Sequence, residues 1–195
     1  MNIVDPIKSK HQIKIMYQFL QGKNPTLRNA TIFLLGISFA YRISDLLQLK
    51  CSDLFANNEY RFKEYIHTIE SKKNKHKRFV PPEKVKKAIK KYAAKNKLTI
   101  DDWLFPSKSN RSKHLDRSNA WRFLSQAARE VGIVHIGSHS LRKTWGYHYY
   151  IDTKDIRTIM RILNHDNESD TLRYIGWDQE IIDEAMGKMT DIYDL

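Results

Sequence analysis

The segment Ile32-Phe33-Leu34-Leu35-Gly36-Ile37 is apolar nearly all round. A helix without a polar face has to be enclosed by other elements. This one is therefore expected inside the molecule, and Asn24-Pro25 ahead of it reads as an N-cap followed by a first helical residue. Ser9 and Gln12 have capping-box spacing and predict an earlier helix that ends near Gly22. Val85, Ala88, Ile89 and Tyr92 recur at helical spacing beneath a lysine-covered outer face. Ser44-Asp45-Leu46-Leu47 begins a short helix.

The texture changes between Tyr60 and Val80. Tyr60, Phe62, Tyr65, Ile66, Thr68 and Ile69 are strand formers, and Phe79-Val80 follow a polar turn rich in Lys and Asn. This predicts a small antiparallel sheet with its last hairpin tip near Lys73-Asn74-Lys75, closed by Pro81-Pro82. Residues 107–114 read as a mobile loop able to touch phosphate. Further helices are expected at 116–131, at 138–150 and at 153–163, the last with Thr153 as N-cap. A short helix should carry Tyr174, and another should span about 178–189. The expected fold is mainly α with a small antiparallel β-sheet. At 195 residues it should form one domain, with 177–195 as a C-terminal helical tail.

Charge narrows the partners. The net charge of +12 is concentrated: residues 71–97 hold twelve Lys or Arg and one acid, whereas residues 178–195 hold six acids and one base. A basic block points to a polyanion, most simply nucleic acid, and an acidic tail points to a protein surface. No apolar run reaches the length of a membrane span, and the N-terminus lacks a signal-peptide pattern. A single cysteine, Cys51, excludes an internal disulfide and suits a reducing cytoplasm. No Cys/His set has zinc spacing, because Gly137 stands between His135 and His139, so neither metal nor cofactor is expected.

The chemistry lies in the last third. It reads His139-Ser140-Leu141-Arg142, then Asn164-His165, then Tyr174, with Arg42-Ile43-Ser44-Asp45 far upstream. Arginine forks grip the non-bridging oxygens of a phosphate, histidines move protons near neutral pH, and a tyrosine can be a covalent nucleophile. Each residue taken alone has an ordinary reading. Arg42 would pair with Asp45, His165 would sit at a helix C-terminus, and Tyr174 would pack. Leu141, Trp145 and Tyr149 form a stripe that would hold the His139–Arg142 helix in the core.

Order and spacing together are more specific. From about Asp5 to about Gly176 the chain resembles the catalytic domain of the tyrosine recombinases, the family of phage integrases and chromosome-dimer resolvases. Tyr41-Arg42-Ile43-Ser44-Asp45-Leu46-Leu47 stands where that family has Gly-Leu-Arg-Ile-Ser-Glu-Leu. His139-Ser140-Leu141-Arg142-Lys143-Thr144 matches its His-x-Leu-Arg-His-Thr box, and Leu163-Asn164-His165 its Leu-Gly-His box. Tyr174 follows His165 by nine residues, at the family's nucleophile spacing. Asn164 replaces the usual Gly, and it too tolerates the left-handed turn.

The resemblance implies a site-specific recombinase or integrase that cleaves and rejoins duplex DNA through a 3′-phosphotyrosyl link. Tyr174 would be the nucleophile, Arg42 and Arg142 the stabilisers of the five-coordinate phosphate, and His139 a proton carrier. His165 would hydrogen-bond a non-bridging oxygen. A hairpin lysine would protonate the leaving 5′-hydroxyl. Counting back from Pro81 favours Lys72, with Lys73 second and Lys75 also open. Lys73, Lys75, Lys77, Arg78 and Lys113 would contact DNA. Only about one helix is expected before the Arg42 region, where the family usually carries an N-terminal core-binding domain, so the sequence reads as either a shortened chain or a naturally minimal member, and without that clamp DNA affinity and site choice should be weaker. Self-association on DNA through the tail is expected. Two other readings are a type IB-like topoisomerase, which shares the chemistry, and a non-catalytic DNA-binding accessory protein, which has no need of Tyr174.

Overall fold

In a computed structural model of the chain, residues 4–70 and 75–187 are described. The central element is α2 (Arg28–Phe39). Its residues Ile32, Phe33 and Leu35 are completely buried. It is enclosed by α1 (Lys10–Lys23), α3 (Ile43–Leu47), α5 (Glu83–Lys95), α6 (Arg117–Glu130) and α7 (Ser140–Thr153). Gly36 faces α7, and a Cβ there would lie 2.4 Å from Leu141 Cδ1. The Leu141 side chain fills the space a side chain at 36 would need.

The start of α2 differs from expectation. Asn24 Oδ1 accepts from the Thr26 amide at 3.0 Å and from the Thr26 hydroxyl at 2.5 Å. This local turn takes up the Asn side chain, and Leu27 then adopts a left-handed conformation (φ 63°). The helix consequently begins at Arg28 rather than Pro25. Ser9 caps α1 through the Gln12 amide, but the Gln12 side chain donates to Val131 O instead of closing a reciprocal box.

Among the described residues, apart from isolated bridges, the β-structure is one two-stranded ribbon. β1 (Ile66–Glu70) pairs antiparallel with β2 (Lys75–Phe79), in a register that sets Ile66 opposite Phe79 and Glu70 opposite Lys75. Tyr60 and Phe62 lie outside it. Both rings pack on Phe55, at 5.3 and 4.9 Å, and the Tyr60 hydroxyl donates to Leu98 O. Phe62 keeps an isolated antiparallel bridge to Phe55, and left-handed Tyr60 (φ 59°) lies outside any pairing. Phe79 packs on Phe39 (4.7 Å) and Tyr41 (5.8 Å), tying the ribbon to the α2–α3 turn. Beneath it lies the short α4 (Cys51–Leu54).

Residues 107–114 form a turn with internal hydrogen bonds, Ser107 N–H to Lys113 O and Lys113 N–H to Asn110 O. Trp103 Nε1 braces it by donating to Ser112 O.

A second apolar cluster gathers Ala40, Ile156, Ile159, Leu163 and Ile175 around α8 (Ile156–Leu163) and α9 (Glu168–Ile175). Asp155, not Thr153, caps α8, accepting from the Thr158 amide at 3.0 Å. Thr153 instead ends α7, its hydroxyl donating to Tyr149 O. The tail helix α10 (Asp178–Gly187) packs on α9. Met189 lies outside the described residues. Among the described residues no helix is long and apolar enough to cross a membrane.

Candidate active site

Three helix ends converge at the site. His139 occupies the N-cap of α7 in a tight Gly137–Ser140 turn, in which Ser140 Oγ accepts from the Gly137 amide at 2.9 Å. The exposed His139 ring thus stands at the mouth of a helix whose next residues, Ser140, Leu141 and Arg142, are buried. One turn inward Arg142 is only 2% exposed, and its Nη2 donates to Leu163 O at 3.0 Å. That carbonyl belongs to the C-terminal turn of α8, where acceptors lack helical partners and the dipole favours a cation.

Asn164 ends α8 in the left-handed region (φ 55°, ψ 47°), as its replacement of Gly requires. The reversal brings the His165 amide back to Met160 O at 2.9 Å and turns the imidazole toward α9. There Asn167 caps the helix through the Asp170 amide, and the Thr171 hydroxyl lies 3.2 Å from His165 Nδ1.

Tyr174 completes the group. Its hydroxyl lies 3.1 Å from His139 Nδ1. The His165 ring meets the tyrosine ring edge to face, with centroids 4.9 Å apart at 89°. The next residue, Ile175, is fully buried against Gly146 of α7, where a Cβ would lie 2.7 Å from Ile175 Cγ2. The glycine lets α9 settle close to α7 and so sets the depth of Tyr174.

Arg42 begins α3, with a side chain 21% exposed and its Nη1 3.8 Å from Asp45 Oδ2. Two residues earlier, left-handed Ala40 (φ 54°) packs in the same cluster as Leu163, Ile175 and Tyr174. His139, Arg142, His165 and Tyr174 are therefore brought together from three elements. Lys72 and Lys73 lie outside the described residues, as do the side chains of Lys75 and Lys77 in β2. Arg78 is exposed and stacks on the Tyr65 ring at 3.7 Å. Lys113 is exposed on the closed turn. Among the described residues no group of three or more His, Cys, Asp or Glu is placed to hold a metal ion.

Two side chains in contact with this group were not picked out from sequence. Lys143 stands where the resemblance expects His, and its ammonium lies 5.3 Å from the Tyr174 ring centroid. It also donates to Val4 O at 2.5 Å, and burial lowers its pKa. Its spacing of four from His139 was the available signal. The other is Thr171, whose contact with His165 depends on a chain reversal that no local pattern announces.

This arrangement, a buried arginine and two histidines around a tyrosine hydroxyl on a helical scaffold, has the fold of site-specific recombinase catalytic domains. The XerH recombinase bound to its palindromic difH substrate superimposes with a TM-score of 0.72 at 16% identity, over 95% of this chain and 53% of that one. The phage integrase family model matches residues 8–180, and the chain belongs to that family. It is 40% identical over 180 residues to the probable integrase/recombinase YoeC of Bacillus subtilis (strain 168), covering 92% of this chain and 93% of that one. It is 31% identical to the tyrosine recombinase XerC of Thermodesulfovibrio yellowstonii, covering 86% of this chain and 56% of that one. The chain thus spans nearly all of YoeC and about half the length of XerC and XerH.

Proposed function

We propose that this chain is a tyrosine-type site-specific DNA recombinase whose residues 1–195 act as one catalytic domain. The observation that carries the reading is the 3.1 Å contact between the Tyr174 hydroxyl and His139 Nδ1 beside the buried Arg142. In the proposed reaction the Tyr174 oxygen attacks a scissile phosphate of duplex DNA and forms a P–O bond. The P–O bond to the 5′-oxygen breaks, and His139 takes the phenolic proton. Arg42 and Arg142 stabilise the added negative charge as preorganised donors, while His165 hydrogen-bonds a non-bridging oxygen. Lys72, with Lys73 and Lys75 as alternatives, gives the proton to the leaving 5′-hydroxyl. The product is a 3′-phosphotyrosyl link that a second strand's hydroxyl reverses, so no nucleotide is consumed.

Lys73, Lys75, Lys77, Arg78 and Lys113 are assigned to the DNA backbone, consistent with their charge. The tail 177–195 is assigned to a second copy of the chain bound at a neighbouring site. Its support is the exposure of Ile182 (47%) and Met186 (69%) on an acidic helix, in a chain that is otherwise basic.

The test is incubation with a nicked suicide duplex, followed by a denaturing gel. A covalent adduct is expected. No adduct on any site sequence would make the chain an accessory DNA-binding protein. An adduct with plasmid relaxation but no two-site joining would make it topoisomerase-like.

A further inference from the structure

Thr171 lies on α9 and is completely buried. Its hydroxyl has a single proton, which goes to Asn167 O at 2.7 Å. The oxygen therefore meets His165 Nδ1, at 3.2 Å, as an acceptor. An acceptor on that side requires the histidine to carry a hydrogen on Nδ1. Thr171 and Tyr174 are three residues apart, so one face of α9 presents both the nucleophile and the group that holds the histidine. Seating of α9 on α7, through Ile175 against Gly146, sets both at once.

Resting on the functional reading above, we propose that Thr171 is a positioning residue: its hydroxyl holds His165 in the Nδ1–H form and fixes the ring edge-on to Tyr174. With Nδ1 engaged, Nε2 is the nitrogen His165 offers to a phosphate oxygen. It donates there once the ring is the imidazolium, whose second proton sits on Nε2 while Nδ1–H stays on Thr171. A back-bonded threonine with only a structural role would leave the histidine's tautomer and orientation unset.

The test is nitrogen-15 NMR of histidine-labelled protein, with the His165 signals identified by their loss in His165→Gln. Wild type is expected to show the neutral Nδ1–H form. Thr171→Val should lose that form and Thr171→Ser should keep it. On the nicked duplex, Thr171→Val should cleave about tenfold more slowly with DNA affinity unchanged, and Thr171→Ser should stay within about threefold of wild type, the scale set by groups that orient a ligating histidine. An Nε2–H wild type overturns the proposal, and that measurement does not depend on whether Thr171→Val folds. Wild-type cleavage by Thr171→Val, or equal losses in the Val and Ser variants, also overturns it. A wild-type chain that forms no adduct overturns the functional reading instead.

Discussion

Tyr174 and Arg142 differ in what their removal should do. Tyr174→Phe removes one oxygen, and the ring keeps its contacts with His165 and the Lys143 ammonium. Covalent attachment should vanish while DNA binding stays nearly intact, read by denaturing gel and by mobility shift; an adduct from the Phe variant would exclude Tyr174 as nucleophile. Arg142→Ala should slow cleavage by about 10²-fold or more, the loss expected for one preorganised donor. Binding should change far less, because the interaction is strongest in the transition state. The same change leaves Leu163 O without its charge-assisted donor, so a stability loss of about 1–3 kcal/mol is expected in denaturant titration. Equal losses in binding and cleavage would reduce Arg142 to an ordinary phosphate contact.

Helix seating controls the site at the next scale. Gly146 faces Ile175 where α9 crosses α7, and a methyl there meets Ile175 Cγ2 at 2.7 Å. Gly146→Ala should destabilise by about 1–3 kcal/mol through overpacking. It should also lower the cleavage rate more than DNA affinity, because the displaced helix carries Tyr174 away from His139. A variant that loses stability yet cleaves normally would show that α9 adjusts independently of the tyrosine. Element packing also silences the one cysteine. Cys51 in α4 is fully buried, and desolvation together with Asp102 and Asp53 pushes its pKa up to about 12. The thiolate is the reactive form, so native protein at pH 8 should resist iodoacetamide, and unfolded protein should react in mass spectrometry.

Across the whole molecule, the apolar core and the site are separate but coupled. One cluster surrounds α2, the second holds α8, α9 and Ala40, and α7 spans both. The exit from α9 is pinned by Trp177, which packs on Tyr147 and Tyr150 with the Lys154 ammonium 4.1 Å from its ring. Beyond that pin, α10 exposes Ile182 and Met186. Deleting residues 178–195 should leave single-site cleavage measurable and cut assembly of two-site complexes, scored by mobility shift on paired sites. Undiminished synapsis by the shortened chain would make the tail a local structural element.

Much of this was legible in one dimension because its physics is local. An all-apolar segment must be enclosed, which identified α2 as central. Helical periodicity placed α5, and Asn164 marked the left-handed end of α8. The order of Arg42, His139, Arg142, His165 and Tyr174 pointed to the family before any distance was known. Where two local signals competed, the structure decided. Asn24 entered a turn with Thr26 rather than capping α2, Asp155 displaced Thr153 as the cap of α8, and Tyr60 and Phe62 were drawn into packing on Phe55. The contacts of Lys143 with the Tyr174 ring and of Thr171 with His165 join α7, α8 and α9 in space. They depend on the Asn164 reversal and on the close approach at Gly146, which long-range packing sets and sequence spacing does not encode.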